Sequence, residues 1–88
     1  MQLKKNTRIY SMNKKIVLNL PKGALVEVKK NIIGEISVII KMKTTIILFR
    51  RENMKVNGRR PIGIYINGDL VGLANYANPP FPLSLIPP

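Results

Sequence analysis

Only four side chains in this sequence are acidic, Glu27, Glu35, Glu52 and Asp69, and there is no histidine or cysteine to work beside them. General acid–base catalysis needs two titratable groups held in opposed roles. Three of these acids sit beside lysine or arginine or at strand-edge positions, where a solvated charge accounts for them. Lacking cysteine and histidine, the chain has no thiolate nucleophile, no imidazole base, no disulfide and no metal site that depends on sulfur or imidazole. It also has no Gly-rich phosphate loop of the Walker kind, no dinucleotide fingerprint and no carboxylate cluster for calcium. The expectation is a protein that is not an enzyme, takes no cofactor or small-molecule substrate, and acts by binding other macromolecules.

The chemistry on offer is cationic. Between Arg50 and Arg60 the chain reads Arg-Arg-Glu-Asn-Met-Lys-Val-Asn-Gly-Arg-Arg. If Asn57-Gly58 is a tight turn, Arg51, Lys55, Arg59 and Arg60 crowd one hairpin tip, where guanidinium forks can grip phosphates bidentately. Arg50, Arg51, Lys55, Arg59 and Arg60 are therefore the candidate nucleic-acid or anion-binding residues. The competing reading is a solvated basic hairpin that keeps the protein soluble and blocks edge pairing. Lys4, Lys5, Arg8 and Lys14, with Lys15 just beyond, make residues 1–14 a basic N-terminal arm that either reaches along a polyanion or is disordered. Single-strand binding interleaves such charge with stacking aromatics. Here these are only Tyr10, Phe49, Tyr65, Tyr76 and Phe81, and Phe49 and Tyr65 lie in strand-like runs where core packing is the ordinary fate.

The net charge of +11 is uneven, because every lysine and arginine falls within residues 1–60 and residues 61–88 carry only Asp69. Self-repulsion among so many cations is relieved by a polyanion or an acidic protein surface. The chain's other extreme is the Pro-rich apolar tail, residues 78–88. Such a segment is stiff and loses little entropy on docking, so Tyr76, Phe81, Leu83, Leu85 and Ile86 are candidate protein-interface residues in a groove on another subunit. In the competing reading, Leu83 to Ile86 pairs back as the last strand of the chain's own sheet, with the terminal prolines protecting its edge.

These residues have to be positioned by a small fold. Eighty-eight residues, 45% of them apolar and 22% charged, make one folded domain that hides somewhat more than ~60% of its unfolded surface. Stability drawn from oligomerisation or a partner surface is expected at this size. The longest apolar run, Ile36 to Phe49, carries Lys41 and Lys43 at its centre, each costing at least ~2.5 kcal/mol in a bilayer, so it is not read as a span. Asn19, Pro21 and Lys22 interrupt the stretch after the early lysines, and no signal-peptide apolar region is recognised. Location stays open, with a virion or the cytoplasm preferred.

Val, Ile and Thr dominate the ordered stretches, and no helical period appears. The fold class expected is all-β, a small antiparallel sandwich or barrel over residues 15–77. Lys15–Leu20 and Ala24–Lys29 flank Pro21-Lys22-Gly23 and read as a first hairpin. After a turn at Asn31–Gly34, Glu35–Lys43 puts Ile36, Val38, Ile40 and Met42 on one face. Thr44–Arg51 either continues that strand or turns back near Met42–Thr45, with a bend preferred. Asn57-Gly58 and Asn67-Gly68 suit the positive φ angles of type I′ turns and together predict a three-stranded meander. A two-residue turn at Asn67-Gly68 pairs Ile66 with Asp69, Tyr65 with Leu70, Ile64 with Val71 and Gly63 with Gly72. Ile62, Ile64, Val71 and Leu73 then share one face and Tyr65, Leu70 and Ala74 the other. A ribbon apolar on both faces is central in a sandwich or covered by a neighbour. Its glycine pair leaves a flat notch that an aromatic ring can approach.

Ile64-Tyr65-Ile66-Asn67-Gly68, Gly72 and Pro82-Leu83-Ser84-Leu85 resemble the PEGA type of β repeat, a hairpin around an Asp/Asn-Gly turn followed by a glycine, a proline and a short apolar strand. The likeness covers residues 61–88, and the family's closing glycine-containing turn and last strand have no counterpart. It implies an extracytoplasmic interaction module without catalytic residues, and no site residue is carried over. The functional expectation is a non-enzymatic structural subunit of a larger assembly, such as a virion or comparable particle. Its apolar C-terminal part would pack on neighbouring subunits, in a homo- or hetero-oligomer, and its basic portion would face nucleic acid or an acidic surface. The alternative is a free-standing nucleic-acid-binding β-barrel of ribosomal, OB or SH3-like kind. A peripheral membrane protein using its polybasic region on anionic lipid is the third option.

Overall fold

A computed structural model describes residues 1–15 and 17–74. Among the described residues seven strands follow one another: β1 Thr7–Tyr10, β2 Val17–Leu20, β3 Leu25–Lys30, β4 Ile36–Lys41, β5 Ile46–Arg51, β6 Ile62–Ile66 and β7 Asp69–Ala74. All pairings are antiparallel, in a two-stranded sheet β1-β2 and a five-stranded meander β3-β4-β5-β6-β7. The all-β expectation holds.

The larger sheet gets its core face from period-two alternation. In register across it, Val28, Val38, Phe49 and Ile64 form one row, and Val26, Ile40, Ile47 and Ile66 the next. Onto these rows the β1-β2 hairpin lowers Ile9 and Leu20, completing a core with Leu3, Ala24, Ile62 and Ala74. The result is a two-layer sandwich held on both sheet edges. On the β3 edge, the Leu3 N–H donates to the Ala24 carbonyl at 3.0 Å and the Gly23 N–H to the Leu3 carbonyl at 2.9 Å; on the β7 edge, the Met12 N–H donates to the Leu73 carbonyl at 2.8 Å.

Those edge contacts explain where the fold departs from expectation. The first hairpin was expected to pair Lys15–Leu20 with Ala24–Lys29. Gly23 does take a positive φ of 90°, but β2 pairs with β1 and β3 with β4. Residues 1–3 already occupy the free edge of β3, through a Gln2–Leu25 bridge, so β2 is diverted to the second layer. For the same reason residues 1–14 are not a separate arm: Leu3 and Ile9 are buried, and β1 is integral to the sandwich.

The question of one strand or two over residues 35–51 resolves as a hairpin, turned by a Met42 N–H to Thr45 carbonyl bond of 2.9 Å. The Asn67-Gly68 turn forms with φ of 49° and 89°, and Ile66–Asp69 and Tyr65–Leu70 pair as expected. Beyond them a bulge intervenes, so Ile64 meets Gly72 and Gly63 meets Leu73. The expected division of faces is corrected accordingly: Ala74, not Leu73, pairs with Ile62 and lies in the core. A bulge sharpens twist, and two residues beyond this one the Leu73 carbonyl accepts from Met12.

The outer side of the sheet carries an apolar row as well, next to the Glu27–Lys41 pair. Ile39, Leu48, Tyr65 and Leu70 are successive partners across four strands. Leu70 in this row, and Leu25 and Ile46 on either side of Lys41 in the next, are about half exposed, at 48%, 51% and 50%. No helix among the described residues is long and apolar enough to cross a membrane.

Candidate functional site

Because the meander alternates direction, the β3-β4 turn and the long β5-β6 connection emerge at the same end of the sheet. That end collects Lys29, Lys30, Arg50, Arg51, Lys55, Arg59 and Arg60. It is also where the sheet divides. Pairing of β4 with β5 reaches only Val38–Phe49, whereas β4 pairs with β3 up to Ile36 and β5 with β6 up to Arg51. Between Ile36-Ser37 and Arg50-Arg51 the strands part around a cleft of about 310 Å³.

Arg60 spans this cleft. Its Nη2 lies 3.1 Å from the Glu35 carboxylate and 3.1 Å from Asn53 Oδ1, and its Nε donates to the Glu52 carbonyl at 2.7 Å. With both sides of the pair partly buried, this guanidinium acts as a cross-link between the β3-β4 and β5-β6 connections. Arg50 is committed on the outer face. It donates from Nε to Glu52 Oε2 at 3.3 Å and from Nη2 to the Tyr65 hydroxyl at 3.0 Å, and its guanidinium lies 4.6 Å from the Tyr65 ring centroid. The Tyr65 hydroxyl in turn donates to Glu52 Oε1. The hydrogen bond to Tyr65, opposed by a little desolvation and helped by the Glu52 charge, holds the Arg50 pKa above its ordinary value.

Alternation places Arg51 on the opposite side of β5 from Arg50, half buried at the mouth of the core face. The Asn57-Gly58 tip forms as expected, with φ of 52° and 77° and a Val56–Arg59 bridge. At this tip Lys55 and Arg59 are exposed and have no side-chain partner among the described residues. The five candidates thus come to one end but divide by role: Arg50 and Arg60 are tied into networks, Arg51 is half buried, and Lys55 and Arg59 point into solvent. Of the other basic candidates, Arg8 lies in β1 with Nε 3.3 Å from Asn19 Oδ1. Lys14 takes a φ of 59° in the β1-β2 turn. Tyr76, Phe81, Leu83, Leu85 and Ile86 lie outside the described residues.

Sequence reading missed Glu35 and Glu52 as arginine partners, and it assigned Tyr65 to core packing. The signal for Tyr65 was present in its neighbours. Ile64 and Ile66 own the core side, so Tyr65 faces out, and Gly63 two residues before it leaves room for the ring. A Cβ on Gly63 would stand 2.8 Å from the Tyr65 ring and 2.9 Å from the Glu52 carboxyl group. At Gly63 a ring of the same strand fills the expected notch, and Gly72 is not opposite it but pairs with Ile64. Among the described residues no three acidic side chains converge as metal donors.

What the arrangement can do is present two exposed cations and a cross-linked, mixed-charge cleft to an anionic surface. Comparison with protein-family models, with curated proteins and with solved structures finds no match, so its role is argued from this geometry.

Proposed function

We propose that the chain is a non-enzymatic interaction subunit of a larger assembly, of the virion or comparable particle kind. In that assembly the outer face of the five-stranded sheet packs on a protein neighbour and the basic end meets nucleic acid or another anionic surface. The supporting observation is the row Ile39, Leu48, Tyr65, Leu70 with Leu25 and Ile46 beside it. A sheet face that only met water would alternate to polar residues, and a contiguous apolar face on a small domain marks an interaction surface. The apolar segment 78–88 adds further anchors of the same chemistry.

The test is the solution mass of the full chain. Self-association, or stable co-purification with a protein partner, is expected. Substituting the exposed Ile46 and Leu70 by glutamate should abolish it while leaving the circular dichroism unchanged, because neither belongs to the buried core. A chain that stays monomeric at high concentration, carries no partner and is unaffected by these substitutions would overturn the proposal.

A second reading, a monomer that binds nucleic acid, is favoured by the exposed Lys55 and Arg59. It expects oligonucleotide affinity that falls steeply with salt, because counterions are released as phosphates are contacted.

A further inference from the structure

The β3-β4 turn ends in two isoleucines. Ile32 and Ile33 are 103% and 74% exposed, so Ile32 touches essentially nothing else in the chain. Turn geometry does not require them, since the central positions of such a turn are ordinarily filled by Pro, Asp, Asn, Ser or Gly. Nor is the loop slack. The Asn31 N–H donates to the Glu35 carbonyl at 3.0 Å, and the Gly34 N–H returns to the Asn31 carbonyl at 3.0 Å. Asn31 Oδ1 accepts from the N–H groups of Ile33 at 3.1 Å and Glu35 at 2.8 Å. Gly34 supplies the φ of 89° that closes the turn. The backbone is pinned with both isoleucines outward.

Around this apolar point stand cations. Lys29 and Lys30 precede it on β3, Lys55 and Arg59 share its end of the sheet, and Met54 in that same connection is 49% exposed. Nucleic acid would engage the cations and gain little from Ile32 and Ile33, and a protein would gain from them only through a matching apolar pocket ringed by acids. An anionic bilayer engages both, because lysine and arginine meet lipid phosphates while aliphatic side chains enter the headgroup–acyl boundary, which lies ~5–10 Å deep.

We propose that this end of the sheet docks on an anionic lipid bilayer, with Ile32 and Ile33 inserted and Lys29, Lys30, Lys55 and Arg59 at the phosphates. The proposal rests on the reading of the basic end as anion-facing and names lipid as that anion.

Flotation of the full chain with phosphatidylcholine vesicles, with and without phosphatidylserine, tests it. The chain has no tryptophan, so Ile33→Trp, excited selectively over the tyrosines, installs a single tryptophan emitter at the tip. The expected results are flotation with the phosphatidylserine vesicles, a blue shift of the tryptophan on binding, and quenching by lipids brominated on their acyl chains. Replacing Ile32 and Ile33 together by serine should weaken vesicle partition by about tenfold or more, since apolar insertion is lost, and leave the circular dichroism unchanged.

Vesicle binding unaffected by the double serine variant, or an unshifted emitter on bound vesicles, overturns the proposal. If the emitter responds to a single-stranded oligonucleotide and not to vesicles, the partner is nucleic acid and the lipid proposal fails. Retention on heparin separates the two levels of inference: heparin binding without lipid insertion leaves the anion-facing reading standing, and loss of both removes it.

Discussion

Charged residues at the divided end of the sheet differ by what each already holds. Arg60 and Arg50 already hold carboxylate, amide, carbonyl and phenol partners between them, whereas Lys55 and Arg59 are open. Composition alone could not separate these cases, because pairing Arg60 with Glu35 takes residues twenty-five positions apart in the chain. On the outer face, Glu27 stands 3.0 Å from Lys41. The hydrogen bond from Lys41, then its charge, and then more weakly Lys29 and the N-terminus hold the Glu27 carboxyl below the usual carboxylate range. A depressed folded-state pKa stabilises the fold above the unfolded value, and that contribution disappears as pH falls through the folded value. Lys41→Ala is accordingly expected to move the Glu27 titration upward toward the ordinary range, read by NMR of the side-chain carboxyl. Because the pair is exposed, the global unfolding midpoint at neutral pH should scarcely change.

At the level of elements, local turn chemistry was readable and non-local pairing was not. Both Asn-Gly turns and the Asn31–Gly34 turn form where their residues predict, since each is decided within four positions. The partner of β2 was decided elsewhere, by residues 1–3 taking the edge that β2 would have used. The bulge in β7 is likewise not written in the turn beside it, and the Leu73 carbonyl beyond it accepts from Met12, far away in the sequence. The two Asn-Gly turns also differ in consequence. Asn67 is fastened to β5 from both its groups, donating its N–H to the Ile46 carbonyl at 2.9 Å and accepting the Ile46 N–H on Oδ1 at 2.8 Å. Gly68→Ala, at a φ of 89°, should therefore lower global stability by about 1–2 kcal/mol, measured by denaturant unfolding. Gly58→Ala imposes comparable strain on a projecting tip. It is expected to raise amide exchange around residues 55–60 with a smaller effect on the global transition.

For the molecule as a whole, the uneven charge was plain from composition, and the fold turns much of it into a physical end by stacking two connections together. The apolar outer face was foreseen for the β6-β7 ribbon, and the β4 and β5 strands widen it with Ile39 and Leu48. With a net charge of +11, self-repulsion lowers the stability of the compact state. Raising ionic strength from low to moderate salt should therefore increase the thermal midpoint of the isolated chain, in contrast to its weakening effect on any anionic partner.

The paired edges of the sandwich also order events in time. A ribosome releases β1 and β2 first, yet their layer is fastened at one side by Ala24 and at the other by Leu73. Until Leu73 has cleared the exit tunnel, Ile9 and Leu20 have only part of a floor to rest on, and the nascent chain carries that grease uncovered.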